Sequence, residues 1–183
     1  MSFFDAGLIL ITGAMFAGKS TTLIHKIRSY IEMQVPTLVI KHSSDTRYEE
    51  GKICSHDGEG WPAQSVTKLA EVDASQHSVI FVDEGQFFDD LEEVCRRWVF
   101  TENKRVYVAG LHAYSSLEPF GQIHLLLAFA EDVIWLKTFC RFCNRQGSYA
   151  RYIGDEKKTG AFVEVGTEER WASVCIRHHS PEK

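Results

Sequence analysis

The sequence predicts an α/β fold built on a mainly parallel sheet, and three observations carry that expectation. Apolar strand-like runs alternate with helical patterns through the first three quarters of the chain, as crossovers between parallel strands require. The first run, Leu8-Ile9-Leu10-Ile11, leads into a glycine-punctuated turn, Gly13-Ala14-Met15-Phe16-Ala17-Gly18-Lys19-Ser20, that opens a helix. Another run, Val79-Ile80-Phe81-Val82, is short and continuously apolar, as a strand buried on both faces would be.

Taken in order, the elements follow from local pattern. The helix after the glycine turn is expected over residues 19–33, where Leu23, Ile27, Tyr30 and Ile31 recur at helical spacing. A second strand is expected at 35–41, with Pro36 tolerable near its start. After the strand at 79–82, Phe88, Leu91, Val94, Cys95, Trp98 and Val99 form one apolar stripe on a helix over 87–103. Further strands are expected at 105–110 and 133–136. Beyond residue 137 the cysteines cluster and only short β-like fragments remain, such as 161–165. The expected division is therefore a nucleotide-binding α/β unit over 1–137 and a small second unit over 138–183, too poor in apolar residues to fold alone.

Bulk composition narrows the function. A chain of 183 residues can bury a real core, and 44% hydrophobic with 25% charged residues is ordinary for a soluble globular protein. The net charge of −5 and the lack of a dense Lys/Arg cluster argue against non-specific nucleic-acid binding. No apolar run approaches a membrane span, and residues 1–6 carry no cleavage signature, so a cytoplasmic protein is expected. Five cysteines in a reducing compartment are poorly explained by disulfides.

The turn at 13–20 reads as a phosphate cradle. Its glycines let several backbone N–H groups converge on crowded anionic oxygens, and the following helix adds its positive dipole end. Lys19 would reach the β/γ-phosphates, and the Ser20 hydroxyl would ligate Mg²⁺. The strand at 79–82 delivers Asp83-Glu84 to the same sheet edge. Adjacent strand residues point to opposite sides. Asp83 can therefore serve the metal opposite Ser20 while Glu84 faces a neighbouring cleft, where a carboxylate suits a general base. Asp-Glu after an apolar strand also occurs in helicase-type motors, but those need two such domains and a nucleic-acid track.

Cys140-x₂-Cys143 and Cys175-x₂-His178 form two ligand pairs of the kind a structural Zn²⁺ site uses. Four protein ligands close the tetrahedron and leave no open position for catalysis. His179 stands as the alternative fourth ligand; matching spacing favours His178. Cys54 and Cys95 read as packing residues. With zinc pinning both ends, the 31 residues between the pairs would form a loop with a fixed base, able to fold over a cleft as a lid.

These pieces occur in an order that resembles one family. The phosphate loop with Met15-Phe16, the Asp45-Thr46-Arg47 triplet, Asp83-Glu84-Gly85-Gln86-Phe87-Phe88, Pro119-Phe120-Gly121 and the zinc-pinned loop are similar to those of thymidine kinases of the cellular, poxviral and bacterial type. The resemblance spans about residues 7–179. It implies a P-loop NTPase (RecA-like) sheet with a small C-terminal zinc-binding lasso domain. It also implies transfer of the ATP γ-phosphoryl group to thymidine or deoxyuridine with Mg²⁺, usually in a homotetramer.

Carried over by position, Glu84 would be the base, and Arg47 and Lys19 would neutralise charge on the transferring group. The loop with Asp45, Thr46, Asp83, Gly85 and Gln86 would line the ATP site. Met15, Phe87, Leu111, Ser115, Phe120 and Trp171 would wall the nucleoside. Phe162, Val163, Glu164, Val165 and Gly166 would lay backbone groups against the base edge. The chain departs from the pattern at Ser115, where relatives carry a phenylalanine, at His112, a common aspartate, and at Ala150, a usual threonine. A lost aromatic stack forfeits roughly 0.5–1.5 kcal/mol, which bears on base selectivity and leaves the reaction type alone. A small shift in alignment would put Tyr114 in the vacant role. Two other readings stand beside this one: a deoxynucleoside kinase of altered base preference, and a non-catalytic nucleotide-binding zinc protein.

Overall fold

The computed structural model describes residues 5–45, 51–55, 58–154 and 170–179. Its elements are β1 (Gly7–Gly13), α1 (Lys19–Glu32), β2 (Thr37–His42), β3 (Lys52–Cys54), β4 (Gly60–Pro62), β5 (Gln64–Val66), β6 (Val79–Asp83), α2 (Leu91–Phe100), β7 (Arg105–Gly110), α3 (Ile123–Leu126), β8 (Asp132–Leu136), β9 (Thr138–Phe139), β10 (Gln146–Gly147), β11 (Tyr149–Tyr152) and β12 (Trp171–Val174). A six-stranded sheet in the order β5-β2-β6-β7-β1-β8 forms the centre, and every neighbouring pair in it is parallel.

The sheet is covered on both faces because its strands alternate side by side. In β1, Leu8 and Leu10 face one layer with Val94, Cys95 and Trp98 of α2, while Ile9 and Ile11 face the other with Leu23, Ile24 and Ile27 of α1. All seven residues of β1 are buried, which is why the run reads as continuously apolar rather than alternating. Cys95 lies fully within the core as a packing residue, and burial pushes its thiol well above the ordinary range.

Three expectations change. The second helix begins at Leu91, not at residue 87, because Glu84 sits in the left-handed region and Gly85–Phe87 closes a single 3₁₀ turn. Phe88 then runs extended, yet its ring stays in the core. In α1, Ile24 rather than Ile31 completes the buried face. Ile31 is 43% exposed in the last turn, where the helix gives way to the loop into β2. The second strand starts at Thr37, since Pro36 lends no N–H to a ladder. The fragment at 161–165 lies outside the described residues.

Past β8 the chain forms two short antiparallel pairs, β9–β10 and β11–β12. Cys140, Ala172, Val174 and Cys175 make a small core of their own. Among the described residues no helix is long and apolar enough to cross a membrane.

Candidate active site and metal centre

The loop at 13–20 lies at the carboxyl end of β1, one strand in from the β8 edge of the sheet. Gly13 has φ 152°, and a Cβ there would lie 2.3 Å from the Leu136 carbonyl oxygen, so no side chain fits. Phe16 (φ 58°) and Gly18 (φ 83°) take left-handed conformations that curl the main chain. Lys19 donates from Nζ to the Ala14 carbonyl at 2.8 Å, closing the loop on itself. With no acidic residue in its first turn, α1 directs its positive end at the loop.

Asp83 reaches this loop from the end of β6, next strand but one. Ser20 donates its hydroxyl to Asp83 Oδ2 at 3.0 Å, with Oδ1 at 3.3 Å. A serine hydroxyl and a buried carboxylate form the hard oxygen pair that Mg²⁺ takes. One residue later the chain turns: Glu84 has φ 53° and ψ 42° and is buried. Gln86 donates from Nε2 to Glu84 Oε2. The amide orientation is fixed, because Gln86 Oε1 accepts the Leu111 N–H at 3.0 Å. Glu84 Oε2 is therefore an acceptor toward Gln86. Gly121 (φ 56°) backs this arrangement; a Cβ there would lie 2.1 Å from the Gln86 carbonyl oxygen.

Three rings follow in contact with one another. Phe87 meets Phe120 edge-on at 5.6 Å, and Tyr114 stacks on Phe120. Ser115 contributes its carbonyl instead of a ring, accepting from His179 Nε2 at 2.8 Å. Trp171 is buried edge-on against Tyr152, and its Nε1–H has no partner among the described residues. His112 lies over Trp135, with ring centroids 4.7 Å apart. Thr12 Oγ1 donates to the Gly110 carbonyl at 2.9 Å, so His112 Nδ1 is the donor in the 3.3 Å contact with Thr12. Burial, and then the nearby Lys19 charge, holds the His112 imidazole below 6.5.

Of the residues singled out from sequence, Asp45 is buried and 3.5 Å from Lys41 Nζ. Thr46, Arg47 and Phe162, Val163, Glu164, Val165 and Gly166 lie outside the described residues. Sequence reasoning missed Lys41, a fully buried lysine within the apolar run of β2 that also donates to the Lys52 carbonyl at 3.2 Å. The charge interrupting an apolar strand was the available signal. It also missed Ser173 and His179 as anchors, which no local pattern marks.

The metal centre is formed by Cys140, Cys143, Cys175 and His178, whose ligand atoms all lie within 4.8 Å of one another. Cys140 and Cys175 Sγ are each 3.4 Å from His178 Nδ1, and Cys143 Sγ is 3.6 Å from Cys175 Sγ. Tetrahedral Zn²⁺ with ordinary Zn–S and Zn–N bonds demands edges of about 3.8 Å and about 3.6 Å, so the residues fit zinc. His178, not His179, is the fourth ligand. Burial opposes ionisation of the Cys140 thiol. Hydrogen bonds from the backbone at Cys175 and Phe142, and from the Cys143 and His178 side chains, outweigh it and draw the thiol down to about 6.

A parallel sheet in which one inner strand ends in a phosphate loop, with a carboxylate from the next strand but one on the loop serine, defines a P-loop protein of RecA-like build. The zinc unit is its appendage. The chain belongs to the thymidine kinase family, whose model matches residues 6–179. It is 38% identical over 168 residues to thymidine kinases of vaccinia virus (strain Western Reserve) and monkeypox virus, covering 91% of this chain and 92% of each relative. It is 34% identical over 177 residues to that of rabbit fibroma virus, covering 96% and 97%.

Proposed function

We propose that this chain transfers the γ-phosphoryl group of ATP to the 5′-hydroxyl of thymidine, giving thymidine monophosphate, and accepts deoxyuridine as well. The observation that carries the reading is the shared strand end: Asp83 bonded to Ser20 on the phosphate loop, and Glu84 held as an acceptor by Gln86 one residue further.

In this reading the amides of 13–20 and Lys19 bind the polyphosphate. Ser20 and Asp83 would hold Mg²⁺, which supplies charge neutralisation on the phosphates. Glu84 takes the proton of the acceptor hydroxyl, and Arg47 neutralises charge on the transferring group, with Asp45 and Thr46 beside it. Met15, Phe87, Leu111, Phe120 and Trp171 wall the nucleoside. Tyr114 supplies the ring that Ser115 lacks, and the main chain of Phe162 to Gly166 reads the base edge.

The separate small core around Cys140 supports a division into a nucleotide-binding unit up to residue 137 and a zinc-bearing lasso after it. The zinc organises that lasso and takes no part in the chemistry. The family resemblance supports a homotetramer.

Incubation with Mg·ATP and each of the four common deoxynucleosides plus deoxyuridine tests the function. Thymidine should give monophosphate fastest. Monophosphate from a purine nucleoside alone, or from none, would refute it.

A further inference from the structure

The zinc-bound segment reaches the phosphate loop through one side chain. Ser173 is buried in β12, two residues before the ligand Cys175, and donates its hydroxyl to the carbonyl oxygen of Met15, 158 positions away in sequence. The Ser173 main chain is itself held. It pairs with Ala150 across β11–β12, and its carbonyl accepts the Arg141 N–H at 3.0 Å, next to the ligand Cys140. Its hydroxyl therefore projects from a point fixed by the metal-bearing unit.

The Met15 carbonyl belongs to the peptide that ends in the Phe16 N–H. In a trans peptide the two groups point in opposite directions. A carbonyl drawn toward Ser173 thus turns the Phe16 N–H away from β12. Phe16 is also at φ 58°, a region that residues with a side chain adopt rarely. A peptide beside such a residue tends to flip unless something retains it. The Ser173 hydroxyl grips that carbonyl.

We infer that Ser173 is a positioning residue for the nucleotide: its grip on the Met15 carbonyl keeps Phe16 left-handed and its N–H presented to the polyphosphate. The zinc unit thereby tunes the ATP side of the site as well as covering the nucleoside. This rests on reading residues 13–20 as the ATP loop.

The test measures Mg·ADP binding by titration calorimetry without thymidine, together with zinc per chain. Ser173→Ala should keep one zinc and bind Mg·ADP about three- to tenfold more weakly, the loss expected of one hydrogen bond. In a Phe16→Gly background the left-handed conformation carries no side-chain penalty, so Ser173→Ala should then change affinity by less than about twofold. Unchanged affinity in Ser173→Ala, an equal loss in both backgrounds, or loss of zinc would each overturn the inference. Failure of the wild-type chain to bind Mg·ADP would instead refute the ATP-loop reading itself.

Discussion

Tyr114 lies stacked on Phe120, ring centroids 4.0 Å apart and planes inclined by 20°, on the loop where the neighbouring Ser115 offers no ring. Phe120 in turn meets Phe87 edge-on. Tyr114, Phe120 and Phe87 thus form one chain of ring contacts beside Ser115.

Tyr114→Ala should raise the thymidine KM by about three- to tenfold, matching an aromatic contact of about 0.5–1.5 kcal/mol, with little change in the ATP KM. Steady-state kinetics with each substrate varied in turn would check it. Equal changes in both constants would show that Tyr114 holds the loop rather than the nucleoside.

Glu84→Gln preserves shape and removes the basic oxygen. Turnover should fall at least about 10²-fold, while Mg·ADP affinity stays within about twofold. Near-normal turnover would take the proton-accepting role away from Glu84.

Cys140→Ser, or prolonged chelation, should lower zinc content measured by elemental analysis. The melting temperature should fall by at least about 5 °C, the shift that ~2 kcal/mol produces in a chain of this size. The thymidine KM should rise as the lasso loses its base. Full zinc retention in the variant would remove Cys140 from the ligand set.

His112 makes stability depend on pH. Burial and then Lys19 hold its folded-state value below the 6.5 of a free imidazole, so the unfolded chain binds more protons between those two values. Stability is complete above about pH 6.5 and declines as pH falls through that window. His42 adds in the same direction, since burial lowers it against the opposing pull of the Thr67 backbone and of Asp89 and Asp90. Thermal melts from pH 5 to 8 should show a shallower acid-side decline for His112→Gln than for the wild-type chain. Identical slopes would refute the contribution.

Much of the site was legible because its chemistry is local. Eight consecutive residues carry the loop, and Asp83-Glu84 ends a strand that its own hydrophobicity announces. The zinc ligands come as two short-spaced pairs. The helix boundary at Leu91 was not legible, because the apolar stripe runs through Phe88 whether or not the backbone is helical there. The choice of His178 over His179 was legible in the matching Cys-x₂-Cys and Cys-x₂-His spacing, and the ligand cluster bears it out.

Residue order alone settled which groups exist and which lie on one stretch of chain: the cradle, the acid pair, the cysteine pairs and the alternation of strand and helix. Folding decided what meets across the chain. The strand order bonds Asp83 to Ser20, the turn at Glu84 hands its carboxylate to Gln86, and the lasso brings Ser173 to Met15 and His179 to Ser115. Periodicity and spacing encode short-range geometry, whereas contacts between distant segments depend on how whole layers pack. That packing is a property of the assembled sheet and its covering helices, not of any window of sequence.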